Sequence, residues 1–410
     1  MKNHLIYNII FISLFYSGNI VSQRPVSLEF AMKTALENNA QLRSEAKWVE
    51  YQQALVNTSK SFEPTQFNAE LGQFNSAFFD TGFGISQSFQ LPGVYKKRTD
   101  FHIEKVKSAE AYVKMTEAEI RQQLDGLFAE YWYLDARLKL LNFQDSLYSN
   151  FLRKAELRWQ KGETDILEKT TAEQQKLNIT KQLIDVDKMK KFLLTTLNRI
   201  INDGNQYIPA ASDFSILKYN IFIDSVTLLS HPTLLAATQE LMESKAATSL
   251  QKMALFPDFN VAYRNVGIRG TGADNKFYNG SDRFSSVQIG IGIPVFRKGI
   301  RSAIHGAEMF EDLKMQEYSN KMLDIKSRIQ HHYVMYNETM RQINTFEQTS
   351  LPNAKTIRTV SDKKFAKGEI NYLEYVMLTN QAIQIESEYL DLIRSVNESI
   401  IHLYYLTNNF

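Results

Sequence analysis

The sequence predicts a mainly helical, internally duplicated fold with a small β part of four strands. Three observations predict it. Short blocks of residues recur in the same order roughly 200 positions apart, two pairs of segments alternate with period two, and two stretches of about 65 residues carry continuous helical patterning.

Composition sets the bounds. The chain has 410 residues and a formal charge of +2, so no basic surface argues for a nucleic-acid partner. Only 8 prolines accompany many Leu, Lys, Glu and Gln, which favours long helices. There is no cysteine, and hence no disulfide, thiolate metal site, cysteine nucleophile or lipid-anchored cysteine. Residues 1–22 read as a secretory signal: Lys2 supplies the positive start, Leu5 to Tyr16 the apolar core, and Ser22 a cleavage point. That core is well short of the roughly 20 residues a spanning helix needs, and no later segment is apolar enough to cross as one.

The duplication is read from ordered pairs. Asn39-Ala40-Gln41-Leu42 and His231-Pro232-Thr233-Leu234 open helical stretches 192 residues apart, and Phe67-Asn68-Ala69 pairs with Phe259-Asn260-Val261 at the same spacing. Phe89-Gln90-Leu91-Pro92 pairs with Ile291-Gly292-Ile293-Pro294 at 202, and Trp159 to Glu163 pairs with Phe365 to Glu369 at 206. Each half then runs helix, strand, strand, very long helix, tight turn, helix. The predicted organisation is a first repeat over 23–201, a linker over 202–224 and a second repeat over 225–410. β-hairpins fall at 66–91 and 258–293.

The strands alternate. Phe83, Ile85, Gln87 and Phe89 fall on one side, with Gly84, Ser86 and Ser88 on the other; Val287, Ile289, Ile291 and Ile293 oppose Gln288, Gly290 and Gly292. Such segments have one apolar face and the length a tilted strand needs to cross a bilayer. A soluble hairpin on a core would also alternate. Two features favour lipid: the small polar opposite face, suited to a water-filled lumen, and the long polar loop from Gly267 to Arg283. Four strands cannot close a barrel and lipid does not tolerate open edges, so closure needs several chains; three would give twelve strands.

Helical patterning runs from about Val94 to Gln160. Leu124, Leu127, Tyr131, Leu134, Leu138, Leu141, Tyr148, Leu152, Ala155 and Trp159 form a heptad seam broken by Asp145. The second copy spans roughly Arg301 to Ala366, with Pro352 expected to kink it. About 65 residues make a rod on the order of 100 Å. The shorter helices, one before the strands and one after the turn, together match one rod.

This order, with the Val26 to Asn39 opening, the Ser88 to Gly93 strand end and both Lys-Gly-Glu turns followed by Leu-Glu, resembles the TolC-like outer-membrane efflux protein family over nearly the whole chain. The resemblance implies a homotrimer in the outer membrane with a large periplasmic portion. Its shared twelve-stranded barrel and helical tunnel would be the passive exit duct of a tripartite efflux pump. It implies that the turns meet a periplasmic adaptor (membrane fusion protein) and an inner-membrane pump at Lys161, Gly162, Glu163 and Leu167, and at Lys367, Gly368, Glu369 and Leu373. It places Glu374 where some members carry a constricting acid, although Met377 stands where a second acid is expected. It assigns Phe83, Ile85, Phe89, Val287, Ile289, Ile291 and Ile293 to lipid. Val94 to Arg98 and Gly368 to Tyr375 look more like the CusC- and CzcC-like metal-efflux branch, implying heavy-metal cations as substrate. CusC-like members carry a lipidated cysteine, which this chain lacks.

No phosphate loop, nucleophile elbow or carboxylate pair is present, so no catalytic residue, cofactor or metal site is assigned. His331 and His332 are adjacent and point about 100° apart on a helix. Two alternatives remain at this level: a type I secretion duct for polypeptides, and a soluble periplasmic coiled-coil scaffold or adaptor.

Overall fold

The computed structural model describes residues 24–75, 77–219 and 229–408. The leader predicted over 1–22 lies outside these residues, as does the end of the linker.

The elements follow in chain order as β1 (Arg24–Val26), α1 (Leu28–Asn38), α2 (Ala40–Val56), β2 (Gln66–Gly72), β3 (Asp80–Gln90), α3 (Pro92–Gln160), α4 (Ile166–Ile201) and β4 (Tyr207–Pro209). The second half gives α5 (Pro232–Lys252), β5 (Asp258–Gly267), β6 (Gly270–Thr271), β7 (Phe277–Tyr278), β8 (Arg283–Gly292), α6 (Lys298–Thr345), α7 (Leu351–Ala366) and α8 (Tyr372–Leu406). One 3₁₀ turn follows α2 and another follows α5.

At 69 residues, α3 is a rod on the order of 100 Å. Lys298 to Ala366 matches it residue for residue in length. Pro352 does not end this second rod. A π-turn over Phe346–Ser350 precedes it, with the Leu351 N–H reaching back to the Phe346 carbonyl. Proline lacks an N–H and its ring crowds the carbonyl four residues earlier; widening the preceding turn relieves both.

Along its length α3 meets α2 and then α4 on one flank, and α5 and then α8 on the other; α6 continues beyond α5 and α8, and α7 packs on α8. The wall is therefore four helices wide at every level, with α2 and α4 along one edge and α6 and α7 along the other. Two flanks require two apolar stripes. Leu124, Leu127, Tyr131, Leu134 and Leu141 are buried, and so are Ile120, Phe128, Tyr133 and Phe151, which a single heptad seam leaves out. The polar break at Asp145 is filled by Lys176 from α4 at 3.2 Å, and Trp159, at the end of the seam, is exposed.

The linker is an ordered strap. β4 pairs in parallel with β1, placing the start of the described chain beside the inter-repeat segment. The strap then crosses the wall. Trp132 Nε1–H donates to the Ala210 carbonyl (2.9 Å), Phe214 packs edge-on against Tyr133, and Tyr219 packs against Tyr336 with ring centres 4.3 Å apart and the rings tilted by 35°. Asn397 holds it from both sides, accepting from the Leu217 N–H (2.8 Å) and donating to the Ser215 carbonyl (2.9 Å).

Candidate functional site

The four long strands form one antiparallel sheet in the order β2-β3-β5-β8. Register decides what shares a face. Phe67, Ile85, Tyr263 and Val287 stand in one row across the sheet; Phe89, Phe259 and Ile291 stand in another. Phe83, Ile85, Phe89, Val287, Ile289, Ile291 and Ile293 are all exposed, as are Phe67, Leu71, Val261 and Tyr263 on the same side. An isolated sheet with this much apolar surface facing out has no core to bury it. Gln87 is the polar member of the face, and its amide is engaged: it accepts from the Thr65 hydroxyl (2.5 Å) and donates to the Glu63 carbonyl (2.7 Å), just below the start of β2.

The other face carries Asn68, Glu70, Gly82, Gly84, Ser86, Ser88, Asn260, Arg264, Gln288 and Gly290 by the same register. Its charges are matched: Arg264 forms an ion pair with Glu70 across β3. Asn260 donates to the Ser88 hydroxyl at 3.2 Å. Gly84 and Gly290 keep the surface shallow. Among the described residues, β2 and β8 each pair on one side only, so both outer edges of the sheet are open. The segment between β5 and β8, whose polar sequence reads as loop, carries a small hairpin of β6 with β7.

Aromatic residues bracket the apolar band, a feature alternation did not reveal. Phe74, Phe78, Phe79 and Phe277 are exposed at the loop end; Phe62, Phe256 and Phe296 are exposed where strands meet helices.

At the far end of the rods, the two Lys-Gly-Glu turns have the same geometry. Gly162 and Gly368 adopt φ of 72° and 73°. The Gly162 N–H donates to the Trp159 carbonyl (3.0 Å) and the Glu163 N–H to the Arg158 carbonyl (2.8 Å); Gly368 to Phe365 (3.0 Å) and Glu369 to Lys364 (2.9 Å) repeat the pattern. This is the Schellman closure of a helix C-terminus, and it needs a left-handed residue at the glycine. It explains the glycine in each turn but not the recurrence of Lys, Glu and Leu, whose side chains are exposed in both copies.

The turns differ in one respect. Glu168 is tied by Arg158 at 2.9 Å and by the Thr164 hydroxyl. Its counterpart Glu374 is exposed and, among the described residues, makes no ion pair; its backbone N–H donates to Asn371 Oδ1 (2.9 Å). Met377 is exposed one turn on. Behind this second turn, Phe365 stacks on Tyr375 at 4.5 Å and Lys154 of α3 sits 4.2 Å from the Tyr372 ring, joining the turn to the first rod.

The partner of His332 is not its neighbour alone. His402 of α8 stacks on it at 4.3 Å and is held by Gln122 of α3 (2.8 Å). Burial, aided by His402, His331 and Arg328, pushes His332 down to about 4. Among the described residues no group of three or more His, Asp or Glu is arranged to hold a metal ion, and no helix is long and apolar enough to cross a membrane.

Residues 225–409 match the family model described as outer membrane efflux protein. No curated protein is detectably similar in sequence. Among solved structures the chain is similar to CusC, described with its transmembrane channel formation (TM-score 0.75, 16% identity, covering 94% of this chain and 93% of that one). It is also similar to the Campylobacter jejuni CmeC outer membrane channel (0.74, 15%, 93% and 85%) and to the open state of the Neisseria gonorrhoeae MtrE outer membrane channel (0.67, 15%, 93% and 88%).

Proposed function

We propose that the chain is an outer membrane efflux protein, the trimeric exit duct of a tripartite pump that conducts substrate passively from periplasm to exterior. One observation carries the reading: the sheet and the helical wall are open along the same two edges. β2 and α2 with α4 bound one side; β8 and α6 with α7 bound the other. Repeating the unit about an axis joins β8 of one copy to β2 of the next and closes both layers at once. Closure removes every strand edge, as lipid requires, and makes one continuous conduit. The Phe83 to Ile293 face then meets lipid, and the Gly, Ser, Asn and Gln face lines the lumen.

The helix turns lie at the end of the conduit farthest from the membrane. There a periplasmic adaptor and an inner-membrane pump would engage Lys161, Gly162, Glu163 and Leu167 and their counterparts Lys367, Gly368, Glu369 and Leu373. Among the described residues Glu374, unlike Glu168, has no cation paired with it, which supports a constricting role where three copies converge. Heavy-metal cations are the substrate class we infer, from the likeness of the Val94–Arg98 and Gly368–Tyr375 segments to the metal-efflux branch. Passive release asks for no tight site on the way.

Membrane fractionation, detergent extraction and mass determination of the native particle test the architecture. A detergent-dependent trimer from the outer membrane is the expected result, and a soluble monomer refutes it. Sensitivity of a deletion strain to copper, silver, zinc and cadmium salts tests the substrate class; unchanged sensitivity with heightened sensitivity to organic dyes reassigns it.

A further inference from the structure

The second repeat carries four residues that the first does not. Strand ends align at an offset of 202, as far as Leu91 and Ile293, whereas the rods align at 206, from Pro92 to Lys298. The added segment is Pro294-Val295-Phe296-Arg297, and it sits where β8 leaves the apolar band. Val295 is 75% and Phe296 95% exposed, making Phe296 the most exposed of the large apolar side chains described.

The first repeat treats the same junction differently. Val94 is buried, while the Tyr95 hydroxyl accepts from the Gln90 N–H (3.1 Å) and its ring packs on Phe62 at 5.4 Å. Of its three cations two are engaged within the protein, Arg98 with Gln90 (2.7 Å) and Lys97 with Asp100 (3.9 Å), while Lys96 is exposed.

Arg297, Lys298 and Arg301 follow the exposed pair, all on the surface, and among the described residues none is in an ion pair. No Asp or Glu occurs between Asp282 and Glu308. Three cations at the start of a helix also oppose the macrodipole, so the helix gains nothing from them. Arg297 Nε–H donates to the Pro294 carbonyl (3.0 Å), which closes the added segment into a bend.

We propose that this insertion is a lipid hook. Val295 and Phe296 enter the acyl boundary of the periplasmic leaflet, and Arg297, Lys298 and Arg301 bind the phosphates of anionic phospholipid headgroups. The inference rests on the channel reading, which places the strand ends at that leaflet. It follows from continuity with the apolar band and from charge complementarity. An aromatic ring at headgroup depth flanked by unpaired cations is the arrangement that anionic interfaces attract.

The test uses the full chain carrying Phe296→Trp, extracted as the assembled oligomer and reconstituted in vesicles of brominated phosphatidylglycerol or brominated phosphatidylcholine. Recovery of a heat-modifiable oligomer from outer membranes checks the channel reading first and separately. The expected result is extra quenching over the wild-type tryptophans, with a preference of roughly tenfold or more for phosphatidylglycerol. Arg297→Gln/Lys298→Gln/Arg301→Gln should abolish that preference without dissociating the oligomer, and millimolar inorganic phosphate should leave it unchanged. Equal quenching by both lipids overturns the proposal. So does a blue-shifted but unquenched Trp, which means a neighbouring copy covers the segment. Displacement by inorganic phosphate overturns it too, reducing the site to a simple anion contact.

Discussion

Replacing Val287 by lysine tests the orientation of the sheet most directly. Val287 is 68% exposed, shares a row with Phe67, Ile85 and Tyr263, and lies near the middle of β8, four residues from Arg283 and five from Gly292. A lysine at mid-bilayer on the lipid face costs roughly 2–4 kcal/mol per chain, so a closed trimer loses about 6–12 kcal/mol, comparable with the whole stability of a domain. Two controls make the number interpretable. Gln288→Lys changes the adjacent residue, which faces Ala262 on the opposite side, and should alter assembly by less than about 1 kcal/mol. Ile291→Lys lies four residues farther along, about 10 Å nearer the periplasmic rim for a tilted strand, where the cost falls to roughly 0–1 kcal/mol. The assay is the yield of heat-modifiable oligomer in outer-membrane fractions, followed by its urea midpoint. The expected order is Gln288→Lys and Ile291→Lys near wild type, with Val287→Lys absent. Equal assembly of Val287→Lys and Gln288→Lys, or a worse result for Gln288→Lys, would refute the two-face assignment.

Gly162→Val and Gly368→Val should impair export while leaving the oligomer intact; no atom lies within 4 Å of an added Cβ, so the penalty is the left-handed backbone alone, about 1–2 kcal/mol. Resistance assays beside unheated electrophoresis check this, and loss of the oligomer would make the turns folding elements instead. Asn397→Leu leaves the Leu217 N–H and the Ser215 carbonyl without their partner and should destabilise the strap by about 1–3 kcal/mol for each group, read as a lowered Tm of the detergent-solubilised protein. Acid should weaken the same region. His231 is buried, accepts from the Thr233 N–H and packs edge-on against Tyr405, and burial next to Arg328 pushes it down to about 4. The unfolded chain takes up this proton near 6.5 and the folded one does not, so stability present above pH 6.5 declines as pH falls towards 4, by on the order of 3 kcal/mol. His231→Asn, which can still cap the helix, should flatten that part of the Tm profile, and an unchanged slope would remove His231 as its source.

The sequence revealed whatever is periodic or repeated. Period two located the strands because one side is apolar and the other small and polar. Helical patterning located both rods, and the recurring glycines marked turns that require positive φ. What stayed hidden depends on contacts between distant segments. A heptad reading finds one seam, but α3 serves two flanks, so Phe128 and Phe151 were missed. The strap follows no period because its residues reach α3, α6 and α8 separately. His402 lies seventy residues from His332, and only the packing of α8 on α6 brings the rings together. The π-turn answers Pro352, but local sequence does not distinguish a widened turn from a kink. At the candidate site the two turns are alike in sequence, yet in the fold Arg158 restrains Glu168 whereas Glu374, among the described residues, has no such partner.

The open edges of β2 and β8 carry a genetic consequence. On the proposed channel reading neither edge is satisfied within one chain, so the unit that enters the membrane is the ring, and every trimeric ring samples the cell's pool of chains three times. A variant spoiled only along β8 would still offer a sound β2 and would be incorporated. Expressed in equal amount with the wild type, it would leave roughly one-eighth of the rings free of defect. Loss of export should therefore be dominant for edge-strand variants and recessive for variants that cannot fold at all.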